Sequence, residues 1–494
     1  MNRLPAALLI LCFAFCVASF IRAGAAEPTN MILFIADDVS WNDYGCYGNK
    51  FARTPNIDQL ADNGVRFDNA FLTASSCSPS RASIVTGRYP HNNGKAAELH
   101  LPIAGHLDWF PELMRKSGYH TVLSGKNHMS STSGRVKAFD AVDGGRIKGN
   151  SGGHANWSKF VRERPRSKPF FFWFAAYDAH RGWDADKQWN EKEYGPAHTP
   201  ENVFVPPFLV DNKSTRQDLA SYYNEVTRFD HHIGLVVNEL KKQNAFDDTL
   251  ILVMADNGRP FPRAKTRLHD SGMKTALVAH WPAGIKNNGP SSSLVSVIDI
   301  APTAMQIAGL EPAPTMQGVS LLPLLSGDAK SVRRYAFSEH NWHDYEAHGR
   351  SVRDGKFLYI KNNRPNQSWQ GPADSVRSPS HKDLLNSKSK DTLTAAQTDV
   401  FLNPRPAEEF YAWDDSNQMK NLIGDPKYAA EANRLRDLLK QWTVDTGDSV
   451  PEKISADSFH RETGDRIHKN ESAYRFTTPG EDTGADRINA PGPR

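Results

Sequence analysis

Four uninterrupted apolar runs punctuate the first half of the chain, and each gives way to polar residues. They read MILFIADD (31–38), YHTVLS (119–124), PFFFWFAAYD (169–178) and TLILVMADNG (249–258). A strand buried on both faces carries apolar residues continuously rather than alternately, so these runs predict strands in the interior of a parallel sheet. Between them, residues 56–63, 110–117 and 217–243 place apolar side chains at helical spacing. Strands alternating with helices predict an α/β domain whose mainly parallel central sheet is sandwiched by helices. Ligands of such sheets bind beyond the carboxyl ends of the strands, where each run turns polar.

The pattern changes after residue 331. GRSVRDGKFLYIKNN (349–363) has a turn between two strand-like segments, EFYAWDD (409–415) is another candidate strand, and 428–442 is amphipathic at helical spacing. We therefore expect a larger domain over 27–331 and a smaller α+β subdomain with an antiparallel sheet over 332–448. Residues 449–494 are polar and rich in Gly, Pro and charge, which predicts an extended or disordered tail. Residues 1–26 read as a signal peptide: Arg3, an apolar stretch over 4–21, then Ala23, Gly24 and Ala25 as a cleavage site. No later run is long enough to span a bilayer. Export follows, to periplasm, exterior or lysosome according to host.

Composition narrows the reading. A net charge of +3 over 494 residues, with 39% hydrophobic residues, gives no footprint for a nucleic-acid partner and enough apolar material for a large core. Beyond the signal segment only Cys46 and Cys77 remain, so a disulfide framework is excluded and one bridge is the most that can form.

The candidate chemistry lies at the strand ends. Asp37 and Asp38 close the first run, and Asp256 and Asn257 close the last. Oxygen donors of this kind suit Ca²⁺ or Mg²⁺ better than Zn²⁺, although Asp and Asn are also common where strands give way to loops. Lys126 and His128 follow the second run, His180 the third, and Lys265 lies just past Asp256; together they supply positive charge and proton donors for a tetrahedral anion. Cys77 opens a helix, with Pro79 and Arg81 behind it, a position that favours an anionic group.

CSPSRASIVTGR (77–88) resembles the signature of the type I (formylglycine-dependent) sulfatase family, and the other strand-end motifs occur in the family's order. The resemblance runs from about residue 30 to the C-terminal helix. It implies the alkaline-phosphatase-like fold, conversion of Cys77 to formylglycine by a formylglycine-generating enzyme, and a Ca²⁺ held by Asp37, Asp38, Asp256, Asn257 and the converted Cys77. Arg81 would support that residue. Lys126, His128, His180 and Lys265 would hold and protonate a sulfate ester, with His180 the first candidate to protonate the leaving group.

SSCSPSRASIVTG, FFFWFAAYDAHRG and DNGRPFP are most similar to the heparan N-sulfatase (sulfamidase) branch. This implies exo action on N-sulfoglucosamine of heparan or heparin. Lys265 departs from that branch, which has arginine there, and so does segment 340–353. An O-sulfatase acting on another polysaccharide, such as an algal glycan, is the alternative, and a phosphatase or phosphonate hydrolase of the same superfamily is a third. His340, Trp342, His343 and Arg350 are expected to contact the sugar.

Overall fold

The computed structural model describes residues 29–133, 137–468 and 475–494. The segment 1–26, expected to be a signal peptide, lies outside the described residues. Strands β1 (Asn30–Ala36), β2 (Val65–Phe71), β3 (His120–Gly125), β4 (Ala141–Asp143), β5 (Phe170–Ala175), β6 (Thr249–Ala255), β7 (Leu277–His280) and β8 (Gly289–Ser296) form one sheet. Its order is β4-β3-β5-β1-β6-β7-β2-β8. Only β7 runs antiparallel to its neighbours, β6 and β2, while the other pairings are parallel. The predicted mainly parallel sheet is what forms.

The reason is visible in β1. Its residues from Met31 to Ala36 are fully buried, and alternate side chains enter two different cores. Met31, Leu33 and Ile35 pack with Ala82, Ile84 and Val85 of the Cys77–Thr86 helix and with Ile300 and Ala304 of the Ile300–Ile307 helix. Ile32, Phe34 and Ala36 pack on the opposite face with Tyr222, Val226, Phe229 and Ile233 of the Lys213–Lys242 helix. Both faces are covered, so every position must be apolar. Truncating Phe34 to Ala would cost about 3–5 kcal/mol, through lost burial and the cavity left behind.

The remaining strands, β9 (Ala336–His343), β10 (Tyr345–Arg353), β11 (Phe357–Asn362) and β12 (Glu408–Ala412), form an antiparallel sheet in the order β12-β11-β10-β9. The Ala429–Thr446 helix buries Leu435, Leu439 and Trp442 against Phe337, Val352, Tyr359 and Phe410 of this sheet. β9 docks on the chain that follows β2: Glu339 N donates to Thr73 O (2.8 Å) and Ser338 Oγ to Leu72 O (2.6 Å). The second sheet is thereby brought beside Cys77.

Beyond residue 448 the described chain has little regular structure, yet it is anchored rather than free. The buried guanidinium of Arg88 donates to Asp486 O (3.2 Å), Ile488 O (2.8 Å) and Asn489 Oδ1 (2.7 Å), and Ser455 N donates to Glu346 Oε2 (3.0 Å). A buried charge must be hydrogen-bonded, and the tail supplies those acceptors. Low hydrophobicity along the segment is consistent with its lack of regular structure but does not announce these anchoring contacts. Among the described residues no helix is long and apolar enough to cross a membrane.

Candidate active site

β3, β5, β1 and β6 are adjacent and parallel, so their carboxyl ends open on one edge of the sheet. Lys126 follows β3, Asp178 and His180 follow β5, Asp37 and Asp38 follow β1, and Asp256 and Asn257 follow β6. Consecutive strand residues point to opposite faces. Asp38 escapes that rule because it has φ 63°, a left-handed conformation that Asp tolerates. Both carboxylates consequently reach Cys77: its Sγ lies 3.7 Å from Asp37 Oδ1 and 3.8 Å from Asp38 Oδ1.

Cys77 is the first residue of a ten-residue helix that is buried throughout. Ser76, at the helix N-cap, makes no capping bond; its hydroxyl instead pairs with His343 Nδ1 at 2.8 Å. The amide ends of the first helical turn therefore leave a field that favours an anion beside Cys77.

Around it, buried charges of both signs interlock. Arg81 Nε donates to Asp256 Oδ2 (2.8 Å) and its Nη1 to Lys126 O (2.8 Å). Lys126 Nζ bonds Asp37 Oδ2, and Lys265 Nζ donates to Asp38 Oδ2 at 2.8 Å. Burial alone would raise Asp37, but Lys126, His180, Arg81 and Lys265 outweigh it and hold the carboxyl well below its usual range. Burial raises Asp256, with Arg81 opposing and Asp37 reinforcing the rise. Burial likewise pushes the Cys77 thiol up, against Lys126 and Lys265. An unmodified Cys77 is thus a poor thiolate here.

The donor set fits a hard cation. Ligand atoms of Asp37, Cys77 and Asp256 all lie within 4.8 Å of one another. Asn257 Oδ1 is buried and has no hydrogen-bond partner, while its amide nitrogen is used on Asp38 Oδ1. An orphaned carbonyl oxygen beside carboxylates is costly unless something positive meets it.

The site opens into a cavity of about 310 Å³ lined by residues that include Lys126, His128, Arg146, Tyr177, His180 and Arg181. The His180 side chain is 40% accessible, with Nε2 3.9 Å from Asp374 Oδ2. His128 is held neutral: burial, then Lys126, His100 and Arg81, lower it to about 2. Its ring lies 4.8 Å from that of His100. Lys265 does not line the cavity; it sits behind, on Asp38.

Of the four residues expected to contact the sugar, the structure brings none to the cavity wall. Trp342 packs with Cys77 and Leu99 and donates its indole N–H to Ala456 O (3.1 Å), and His343 is buried on Ser76. His340 stacks on Trp369, with ring centroids 5.1 Å apart. Arg350 is buried with its guanidinium committed to Asp448 (2.6 and 2.8 Å) and Asn341 (2.8 Å), and it lines a different cavity with Tyr359 and Asp448. The physical reason is that β9 and β10 are buried at every position, so their side chains face the protein interior; Arg350, Trp342 and His343 find hydrogen-bond partners there, whereas His340 is held by ring stacking with both ring nitrogens unpartnered. Sequence reasoning missed Asp374, Arg146, Arg181 and Asp178. Arg181 and Asp178 flank His180 and were available from that motif; nothing local marks Asp374, which arrives from the C-terminal region.

Comparisons with known proteins agree with this geometry. The family profile described as "Sulfatase" matches residues 29–150 and 154–310, and that described as "N-sulphoglucosamine sulphohydrolase, C-terminal" matches residues 263–396. The chain is 30% identical to N-sulphoglucosamine sulphohydrolase of Homo sapiens over 86% of its length and 91% of the relative's. It is 29% identical to an "Ulvan-active sulfatase" of Formosa agariphila, over 89% of its length and 81% of the relative's. Its fold is shared by a solved protein described as in complex with its substrate D-glucosamine-2-N,6-O-disulfate, with TM-score 0.63 and 21% identity over 85% of this chain and 98% of that one. The chain belongs to the sulfatase family, hydrolases of sulfate esters and sulfamates.

Proposed function

We propose that the protein is an exported, exo-acting sulfamidase-like enzyme that removes the N-sulfate from terminal N-sulfoglucosamine of heparan or heparin. The observation that carries the sulfatase chemistry is the convergence of Asp37, Asp38 and Asp256 on Cys77 at a helix start, with Asn257 bonded to Asp38 and its own Oδ1 orphaned. Those residues would hold Ca²⁺, and Cys77 would carry the formylglycine. Bound there, the cation and the aldehyde hydrate supply a polarised oxygen nucleophile at neutral pH.

The chain's own groups do the rest. Lys126, on the cavity wall, neutralises sulfuryl oxygens, and Lys265 fixes Asp38. His180, exposed on the cavity, gives a proton to the leaving nitrogen or oxygen, with Asp374 orienting its ring. His128, neutral in its buried pocket with Nδ1 unpartnered, is placed to hydrogen-bond the nucleophile's hydroxyl and assist breakdown of the hydrate. The cavity is at the small end of ligand pockets, which run from about 300 to 1,000 Å³, and this supports binding of a single terminal sugar. The N-sulfate preference is supported by the match of the C-terminal region to the N-sulphoglucosamine sulphohydrolase profile. An O-sulfatase acting on a different polysaccharide is the second reading, favoured by the similarity to an ulvan-active sulfatase.

Two measurements test the proposal. The mass of the Cys77 peptide, after expression with a formylglycine-generating enzyme, should show the aldehyde; an unaltered thiol overturns the mechanism. Sulfate release should be faster on N-sulfoglucosamine-ended oligosaccharides than on O-sulfated glycans. Release confined to O-sulfated glycans selects the second reading.

A further inference from the structure

Three arginines line the cavity, and they are not equivalent. Arg181 makes a two-pronged pair with Asp218 (2.9 and 2.9 Å). Arg228 is neutralised by Asp178 (2.7 Å) and Glu225 (2.8 Å). Arg146 has no ion pair among the described residues. Its Nε donates to Ser151 O (3.0 Å) and its guanidinium lies 3.5 Å from the centre of the Tyr177 ring. Both terminal nitrogens make no hydrogen bond among the described residues, and the side chain is exposed.

The loop that carries Arg146 is built rather than loose. Ile147 and Asn150 exchange two backbone hydrogen bonds of 3.0 Å, and Ala155 N donates to Gly145 O (3.1 Å). Gly145 has φ 61°, and a Cβ there would lie 1.9 Å from Gly153 O, so only glycine allows this close approach. The result is a guanidinium stacked on an aromatic face and tied at one nitrogen, with its outer edge open. A planar fork in that state is set up to receive a carboxylate or sulfate through two parallel hydrogen bonds. Because the chain pairs its other cavity arginines internally, this unpaired charge is left for a ligand.

We infer that Arg146 binds a second anionic group, a carboxylate or sulfate, on the sugar adjoining the one that is desulfated. The inference rests on the proposed function for its substrate class. It makes the enzyme selective for a neighbouring acidic sugar by a contact outside the sulfate-binding cluster.

The test uses the full-length, metal-loaded enzyme and a disaccharide of N-sulfoglucosamine linked to a hexuronate. Two further probes are its carboxyl-reduced counterpart and a form sulfated on the uronate ring. Reduction of the carboxyl should lower wild-type kcat/KM by about tenfold or more, the range for hydrogen bonds to charged groups. Arg146→Ala should abolish that preference, chiefly through KM, and Arg146→Lys should restore part of it. If the preference instead follows the ring sulfate, that group is the ligand of Arg146. The same preference in Arg146→Ala as in wild type overturns the inference.

Calorimetric binding of the desulfated glucosaminyl-uronate disaccharide gives a readout independent of turnover. Arg146-dependent binding in a protein that releases no sulfate would leave the contact standing and sink the proposed function. Turnover without any dependence on Arg146 would do the reverse.

Discussion

Two buried ionic clusters in this protein look alike on paper and differ in what they leave unsatisfied. One surrounds Cys77 at the end of the parallel sheet. The other joins His91, Glu339, Arg350 and Asp448 between the second sheet and the start of the tail. Each contains a trio of groups near enough to hold a metal ion: Asp37, Cys77 and Asp256 in the first, His91, Glu339 and Asp448 in the second. In the second cluster every group is closed off. His91 pairs with Glu339 (3.1 Å) and with Thr446 Oγ1 (2.9 Å), and Arg350 spans Asp448 and Asn341. Both clusters border a cavity, the second through Arg350 and Asp448 and the first through Asp37, Lys126 and His128, but in the first Asn257 Oδ1 has no partner. Burial of charge marks both; the unused lone pairs beside a cavity mark the site.

The largest effect should come from Cys77→Ser. A serine cannot supply the two hydroxyls of an aldehyde hydrate, so sulfate release should fall by several orders of magnitude. The melting temperature should hardly move, because the side chain has few apolar neighbours, Leu99 and Trp342. Measuring both separates a chemical loss from a packing loss. Activity close to wild type would break the distinction drawn between the clusters.

Metal content gives the next contrast. Asn257→Ala removes the orphaned oxygen and should lower calcium stoichiometry and activity by tenfold or more, restored in part by high calcium. Glu339→Gln, in the closed cluster, should leave calcium content unchanged. Elemental analysis of the purified proteins decides this, and calcium lost equally from both variants would erase the difference.

Arg350→Met probes the closed cluster for its own role. It leaves Asp448 buried without its cation, which costs about 3–5 kcal/mol when one partner of a buried pair is removed. Denaturant unfolding should register that cost, while kcat of the folded fraction stays near wild type. A change in KM with unaltered stability would instead return Arg350 to substrate binding.

The smallest effect concerns a buried carboxylate that has no ion pair among the described residues. Asp230 accepts N–H bonds from Asn56 (3.2 Å) and Ile57 (2.8 Å), yet burial raises it to about 7. Its folded value lies above its unfolded one, so the folded chain binds the proton more tightly. Stability contributed by the protonated form is fully present below about pH 4 and is lost as pH rises towards 7. Asp230→Asn should flatten this part of the profile, read as melting temperature between pH 5 and pH 8. An unchanged slope would mean that the N–H bonds already stabilise the charge.

Much of the fold was legible because the signal was local. A strand covered on both faces has to be apolar throughout, so MILFIA, FFFWFA and TLILVMA announced the sheet. The strand-end groups were legible for a related reason: a parallel sheet presents all its carboxyl ends on one edge, so Asp37, Lys126, His180 and Asp256 were bound to meet. The C-terminal region gave no such rule. Its strands are short, antiparallel and rich in polar residues, and which of those residues faces a ligand depends on what packs against them.

By itself, then, the sequence determined the parallel sheet, the family and the cluster around Cys77, since continuous burial and contiguous motifs leave their mark on neighbouring residues. Only the tertiary structure decided that Arg350 and His340 are internal, that Asp374 joins His180, that the tail seals Arg88, and that Arg146 alone among the cavity arginines lacks a carboxylate among the described residues. Each of these depends on which distant part of the chain packs against or pairs with the side chain, and such a meeting leaves no pattern along the sequence.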